Sequence, residues 1–353
     1  MMEFNYTDPE GIEIGPLLDC GLDLEIGTYD KAKNDFEITV STDSWDQENL
    51  TYNSRVYCVG TEFGGIVKSI QIDTEAEEIK IGGICPRKIL ANDIIQPSER
   101  TDEYYIFSGE ANECIRKYIS STTNFFNYYD DKSKSVSLKK SLADFFVVSE
   151  EDSEIKVNYQ ARYLNTLQTF ETMLNDVGAR LNLIWNKNGK IELSVKPITD
   201  YSEKLQFDND YNLQIIARKD ISQCNHCIGL GKGDLQERQI VHVFKIDDQY
   251  LELNEIDDLS SIPTELNTMI YDYSSVESVQ ELIEGTKAKL KEAQTDNTLE
   301  ITFDNLFPEI GDIVGAKEYI TGISMRKPIV QKIVKCIFEK DYTDCDIDYK
   351  VGD

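Results

Sequence analysis

The stretch 62–95, EFGGIVKSIQIDTEAEEIKIGGICPRKILANDII, constrains this chain more than any other. Two β-branched runs, 65–72 and 78–83, flank an acidic turn of Asp73, Thr74, Glu75, Ala76 and Glu77. The alternations Ile70-Gln71-Ile72 and Ile79-Lys80-Ile81 suit strands with one wet face, so the spacing predicts an antiparallel hairpin. Gly64-Gly65 and Gly82-Gly83 bracket it, where a barrel bends and a Cβ would obstruct. A short helical or extended tail is expected over 87–95. No reactive side chain sits at the centre of this stretch, which points to a structural part.

Charge narrows the partners. The net charge of −29 over 353 residues repels phosphate backbones, so tight nucleic-acid binding is disfavoured, although an acidic wall can line a path through which DNA slides. No apolar run approaches the roughly 20 residues that cross a bilayer, and no signal peptide opens the chain, so cytosolic synthesis is expected. The eight cysteines (20, 58, 85, 114, 224, 227, 336 and 345) show no framework spacing and read as reduced core residues.

The length suits two to four domains. Residues 1–96 carry five or six strands, including 35–40 (Phe36, Ile38 and Val40 on one face) and 53–59, enough for a small β-barrel. A polar linker begins at Pro97. An α+β domain, 97–204, follows. In it Ser108 is expected to cap a helix bearing Ala111, Cys114, Ile115, Tyr118 and Ile119. Asn165 or Thr166 opens a second helix with Leu167, Phe170, Leu174 and Val177 on one face and Gly178 at its end. Asn188-Gly189 between 181–185 and 190–195 predicts a hairpin. A second barrel is expected from 205–246 and 297–353, split by a helical insertion, 247–296, whose helix starts at a Ser274/Glu277 capping box and buries Val276, Val279, Ile283 and Leu290. The fold class is α+β and β-rich, with two β-barrels and intervening α+β domains.

Four places carry residue patterns with possible chemistry. Cys224-Asn225-His226-Cys227 has metal-like spacing, but zinc takes four ligands and His242 is the only other histidine, so thiols on a strand are expected and metal binding by Cys224 and Cys227 stays open. Gly229-Leu230-Gly231-Lys232-Gly233 lacks the phosphate-loop spacing and reads as a turn or bulge. Asp344, Asp346 and Asp348 mimic the start of a calcium loop, yet Tyr349 stands where that loop requires glycine, so a strand with one wet face is expected. The aromatic run 125–129 is either a carbohydrate or partner platform or a loop packing inward. No nucleophile elbow or His-Glu-x-x-His occurs, and 65 acidic residues single out no carboxylate pair. The chain is therefore read as no enzyme, with no catalytic, cofactor-binding or metal residue assigned.

Several segments together resemble a known family: Glu62-Phe63-Gly64-Gly65-Ile66; Gly82-Gly83 leading into Arg87-Lys88-Ile89-Leu90; Gly109-Glu110-Ala111-Asn112-Glu113-Cys114-Ile115-Arg116-Lys117-Tyr118; Tyr159-Gln160-Ala161-Arg162-Tyr163-Leu164-Asn165; and the glycines of 229–233. Over nearly the whole chain this is similar to the tail-hub, or tail-associated, family of long-tailed phages and phage-tail-like particles. The resemblance implies that both barrels are tail-tube-like and that the chain works as a homotrimer. Such a ring would present a pseudo-sixfold face to the hexameric tail tube or distal tail protein ring, and hold a spike or tip protein on the other. The tape-measure protein or DNA would pass through its lumen without specific binding. Location in the virion tail, with no membrane segment, follows from the same resemblance. Relatives that continue into a peptidoglycan hydrolase suggest no such role for a chain ending at Asp353. A cell-wall hydrolase component, or a receptor- or carbohydrate-binding tail module, is the alternative, and flexible and contractile particles are both open.

Overall fold

The computed structural model describes residues 4–99, 102–126, 135–139, 142–202, 214–218, 224–247, 249–293, 298–302, 307–317, 324–339 and 342–352. The chain is α+β and β-rich, and divides into two compact units, 1–216 with 299–353, and 217–298.

In the larger unit the expected hairpin forms as strands Gly64–Asp73 and Glu78–Ile84. Asp73 fastens its turn by accepting from the backbone N–H groups of Glu75 and Ala76, each at 3.0 Å. Glu78–Ile84 pairs on its far side with Asp35–Ser41, where Phe36, Ile38 and Val40 are buried and Asp35 and Glu37 exposed, as period-two alternation requires. Asp35–Ser41 pairs with Cys20–Gly27, and Cys20–Gly27 with the long strand Ser324–Glu339, from Cys20 opposite Phe338 to Gly27 opposite Gln331. Tyr342–Val351 and then Thr298–Thr302 continue that side. In the other direction Gly64–Asp73 pairs with Arg55–Cys58, then Phe4–Thr7, then Glu13–Pro16. With Gln214–Arg218 at one end and Ile313–Lys317 added on Ser324–Glu339, the sheet has twelve strands.

Strands expected in two separate barrels, 1–96 and 297–353, thus share one sheet, and among the described residues no closed barrel is found. Each strand shows its alternation in the sequence. Its partner is chosen by a shared apolar face, here Leu22, Leu24, Ile26, Ile38, Val334 and Cys336, and that choice is not local. Each such Leu or Ile contributes about 1.5–3 kcal/mol on burial. Cys336 and Cys345 occupy opposite positions on neighbouring strands and form a disulfide, which corrects the expectation that all eight cysteines are reduced.

Between 105 and 198 the same unit carries the ribbon Tyr105–Glu110 with Lys156–Ala161, helices Ala111–Ile119 and Thr166–Asn175, and a three-stranded sheet of Phe146–Val148, Ile191–Pro197 and Ala179–Trp185. The rings of Phe107, Tyr118 and Phe170 meet tilted or edge-on at 5.7–5.9 Å inside its core. The first helix is capped by Glu110, whose carboxylate accepts from Asn112 N and Glu113 N at 3.0 and 2.7 Å; the expected cap, Ser108, lies in the preceding strand. Of the two residues expected to open the second helix, Asn165 is its cap, accepting from Gln168 N at 3.2 Å, and Val177 lies beyond its end and is 41% exposed. The Asn188-Gly189 hairpin forms with a longer loop, in which Asn186 Oδ1 accepts from the N–H groups of Asn188 and Lys190.

The smaller unit is a four-stranded sheet in the order Gln249–Glu252, Ile240–Ile246, His226–Leu230, Thr268–Asp272, the last pair parallel, under the helix Val279–Glu292. Sequence pattern groups 224–230 and 239–245 with 297–353 and makes 247–296 a helical insertion. In the structure these strands and this helix enclose cores of their own, around Cys227, Val243 and Leu290 and around Val241, Val276 and Leu282. The helix starts later than expected: Ser278, in place of Ser274, accepts from Glu281 N at 3.1 Å, which leaves Val279 exposed.

Candidate functional site

The two metal-like cysteines share the small core, Cys224 packing against the cluster that holds Cys227, but the histidine between them turns away. Cys227 lies under the helix in the small core, and Cys224 donates to the carbonyls of His226 and Asn267 at 3.3 and 3.1 Å. His226, next along the strand from Cys227, points to the opposite face, as neighbours on a strand must. There it stacks on Phe244 at 4.5 Å, and its Nε2 lies 3.1 Å from His242 Nδ1. Its Nδ1 meets Thr268 Oγ1 at 2.9 Å. Among the described residues no three His, Cys, Asp or Glu side chains are grouped to hold a metal ion.

The glycine run is a packing surface. A Cβ on Gly229 would lie 2.1 Å from Thr286 Oγ1, and one on Gly231 2.8 Å from a Leu282 methyl, so both glycines admit the helix Val279–Glu292. Asp344, Asp346 and Asp348 form the wet face of Tyr342–Val351, as expected. Of the aromatic run, Phe125 and Phe126 end the strand Thr122–Phe126, and 127–131 lie outside the described residues.

A buried ionic cluster was not foreseen. Pro86 opens the helix Pro86–Ala91 at a position needing no N–H, and the next residue, Arg87, is 2% exposed. Arg87 donates Nε and Nη2 to Glu62 at 2.8 and 3.2 Å, and Nη1 to Glu171 Oε1, on the helix Thr166–Asn175, at 3.2 Å. Glu171 Oε2 accepts from Tyr29 N at 2.9 Å. Burial pushes the Glu171 carboxyl up to about 7, with Arg87 only partly offsetting it. Burial also raises Glu62, while Glu62 and Glu171 outweigh the burial of Arg87 and hold its guanidinium charged. The sequence held one clue: Arg87 interrupts the apolar run Ile84-Cys85-Pro86 and Ile89-Leu90, where an unpaired charge would be costly.

Beside this cluster lies a cavity of about 450 Å³. Arg87, Leu181, Ile310 and Ile329 form its buried floor, and Asp30, Gln168 and Thr172 its exposed rim. Arg180, in its wall, donates Nε to the buried Asp312 at 2.7 Å.

Two features of the large sheet bear on assembly. Its wet face sets Asp23 directly opposite Glu37 and Glu25 opposite Asp35, like charges that destabilise a strand pair. Burial first, then Glu25, raises the Asp35 carboxyl above its usual range. The second feature is a pair of open edges. Glu13–Pro16 ends the sheet, with Ile12 65% and Ile14 42% exposed. Arg55–Cys58 pairs with Gly64–Ile66 only, so among the described residues no strand covers 68–73 on that side, where Ile72 is 56% exposed. No helix among the described residues is long and apolar enough to cross a membrane.

No family model matches the chain, and no curated protein matches it. Three solved structures are similar over nearly the whole length. A prophage tail protein of Listeria monocytogenes is 14% identical with a TM-score of 0.45, covering 99% of this chain and 94% of its own. A tail protein of Neisseria meningitidis is 12% identical with a TM-score of 0.44, covering 99% and 96%. A 43 kDa prophage tail protein of Shewanella oneidensis is 10% identical with a TM-score of 0.49, covering 98% of each chain.

Proposed function

We propose that the chain is a structural subunit of a phage or phage-tail-like particle, a hub joining the hexameric tail tube to a trimeric tip as a homotrimer around a central channel. The observation that carries this reading is the pair of open strand edges, 12–16 and 68–73, on one sheet. One edge offers Ile12, Glu13 and Ile14; the other offers Lys68, Ile70 and Ile72. Paired antiparallel with Ile12 opposite Ile72, Ile14 falls opposite Ile70 and Glu13 opposite Gln71, the kind of cross-strand match that stabilises sheets by about 0.2–1 kcal/mol per pair. A contact between two different edges is heterologous and must close into a ring or grow into a filament. Closure at three limits growth in this reading. Pro16 blunts its edge only in part, which suits an edge waiting for a partner.

The opposed carboxylates support a channel wall. Asp23, Glu25, Asp35 and Glu37 gather negative charge there, offset in part by Lys80 at 3.3 Å from Glu37 and by Lys335 opposite Asp23, and a lumen lined by them repels DNA phosphates and lets DNA or the tape-measure protein pass without sticking. The resemblance at 62–66, 109–118 and 159–165 points the same way.

Analytical ultracentrifugation of the purified chain at micromolar concentration is the test. A trimer is expected, and Ile14→Lys or Ile72→Lys, both at exposed positions, should give a monomer that keeps the circular dichroism of the folded chain. A monodisperse monomer from disassembled tails, or labelled chain imaged away from the tail tip, would overturn the reading.

A further inference from the structure

We propose that the cavity floored by Leu181, Ile310 and Ile329 binds an aliphatic carboxylate, either a free acyl carboxylate or the C-terminal carboxylate of an apolar-ended partner polypeptide. The donor that calls for it is Arg180, in the cavity wall on the strand Ala179–Trp185. Its stem lies against Gly311, where an added Cβ would come within 3.0 Å of Arg180 Cβ, and its Nε is pinned to Asp312 at 2.7 Å. Nη1 is buried, yet nothing among the described residues accepts from it. A guanidinium nitrogen taken out of water with no acceptor is costly. Its N–H groups suit a carboxylate oxygen, because a bond with both partners charged is the strongest kind open to it.

The neighbouring carboxylates are committed elsewhere. Asp312 Oδ1 also accepts from Thr199 N and its Oδ2 from Glu309 N, both at 2.9 Å. Glu171 is held by Arg87 Nη1 and Tyr29 N. Burial pushes the Glu171 carboxyl up to about 7, so at neutral pH it is half protonated and opposes an arriving anion less than an ordinary carboxylate would. Shape selects the rest of the ligand. Leu181, Ile310 and Ile329 are buried and apolar, while Lys31, Gln168 and Thr172 leave the mouth exposed, and about 450 Å³ is the size of a small-molecule pocket. An aliphatic chain covers that floor; an inorganic phosphate would gain nothing from it. The site stands whether or not the chain assembles through its strand edges.

Isothermal titration of the full chain at pH 7 tests it. The probes are butanoate, hexanoate, hexanamide, n-hexylammonium and an acetylated tripeptide ending in isoleucine and leucine, as free acid and as C-terminal amide. Hexanoate and the peptide acid are expected to bind, each amide at least tenfold more weakly than its acid, and hexylammonium not to bind. Hexanoate should bind about tenfold more tightly than butanoate, from burial of its two further methylenes. Arg180→Lys keeps a cation beside Asp312 but removes Nη1, and should lower hexanoate affinity at least tenfold. If that variant does not fold, Thr172→Trp, at an exposed rim position, obstructs the mouth and carries the same expectation. Tighter binding of hexanoate than of the peptide acid assigns the site to a free carboxylate, and the reverse order assigns it to a partner chain. Hexylammonium or hexanamide binding as tightly as hexanoate, a folded variant binding as tightly as the unaltered chain, or neither acid binding at millimolar concentration would overturn the proposal.

Discussion

Arg87 holds both carboxylate oxygens of Glu62, at 2.8 and 3.2 Å, with the two side chains 3% and 5% exposed. The contact ties the residue just ahead of the hairpin to the helix just after it, so the strands between are clamped at their base. Truncating Arg87 strands Glu62, and truncating Glu62 leaves the buried guanidinium with its one contact to Glu171. Glu62→Ala and Arg87→Ala are each expected to cost about 3–5 kcal/mol, read from urea unfolding midpoints. The double change Glu62→Leu with Arg87→Met should cost less than the sum of the single losses.

Glu171 gives the larger unit a pH dependence of definite sign. Its carboxyl sits near 7 in the folded protein against 4.5 in the unfolded chain, so the folded state keeps a proton that the unfolded state releases. The stabilisation is full below about 4.5 and is lost as pH rises through 7, by up to about 3 kcal/mol. Urea midpoints at pH 5 and pH 8 should show this loss, and Glu171→Gln should flatten it.

The histidine pair works in the opposite direction. Burial, then the neighbouring His242, lowers His226 below 6.5, so the unfolded chain takes up protons first as pH falls. The smaller unit should therefore lose stability from about pH 6.5 downward. Amide exchange across 226–246 measures it, and His226→Phe should remove the acid sensitivity while keeping the stack on Phe244.

Gly83 separates close approach from mere flexibility. A Cβ there would lie 2.1 Å from the Ile66 carbonyl oxygen and 2.6 Å from the Phe36 ring, whereas one on Gly82 meets only the Ser69 hydroxyl at 2.6 Å. Gly83→Ala is expected to destabilise by about 2–3 kcal/mol and Gly82→Ala by distinctly less, in thermal melts of the two variants.

Reducing the Cys336–Cys345 disulfide should lower stability by about 2–3 kcal/mol, the loop-closure value for a crosslink across so short a loop. Alkylation and mass spectrometry before and after reduction count the two thiols released.

What the sequence showed was what neighbours along the chain decide. The hairpin of Gly64–Asp73 and Glu78–Ile84, the wet aspartates of Tyr342–Val351 and the Asn165 cap were all legible, because alternation and capping are read within a few residues. Ser108 and Ser274 misled because residue type alone cannot say which side chain reaches a helical N–H; Glu110 and Ser278 do. Sheet membership was not legible, since nothing near Cys20 announces Phe338. The Glu62–Arg87–Glu171 cluster was half visible, as a charge in an apolar run whose partners lie on other elements.

The pairing of Cys20–Gly27 with Ser324–Glu339 has a consequence for biosynthesis. A strand emerging early from the ribosome waits until about 300 further residues have been translated before its neighbour exists. The central sheet is therefore completed only once Ser324–Glu339 has been translated, and products truncated or stalled before it expose that strand as a sticky template. The yield of such a protein in the cell is governed as much by translation reaching that distant strand as by the stability of the folded molecule.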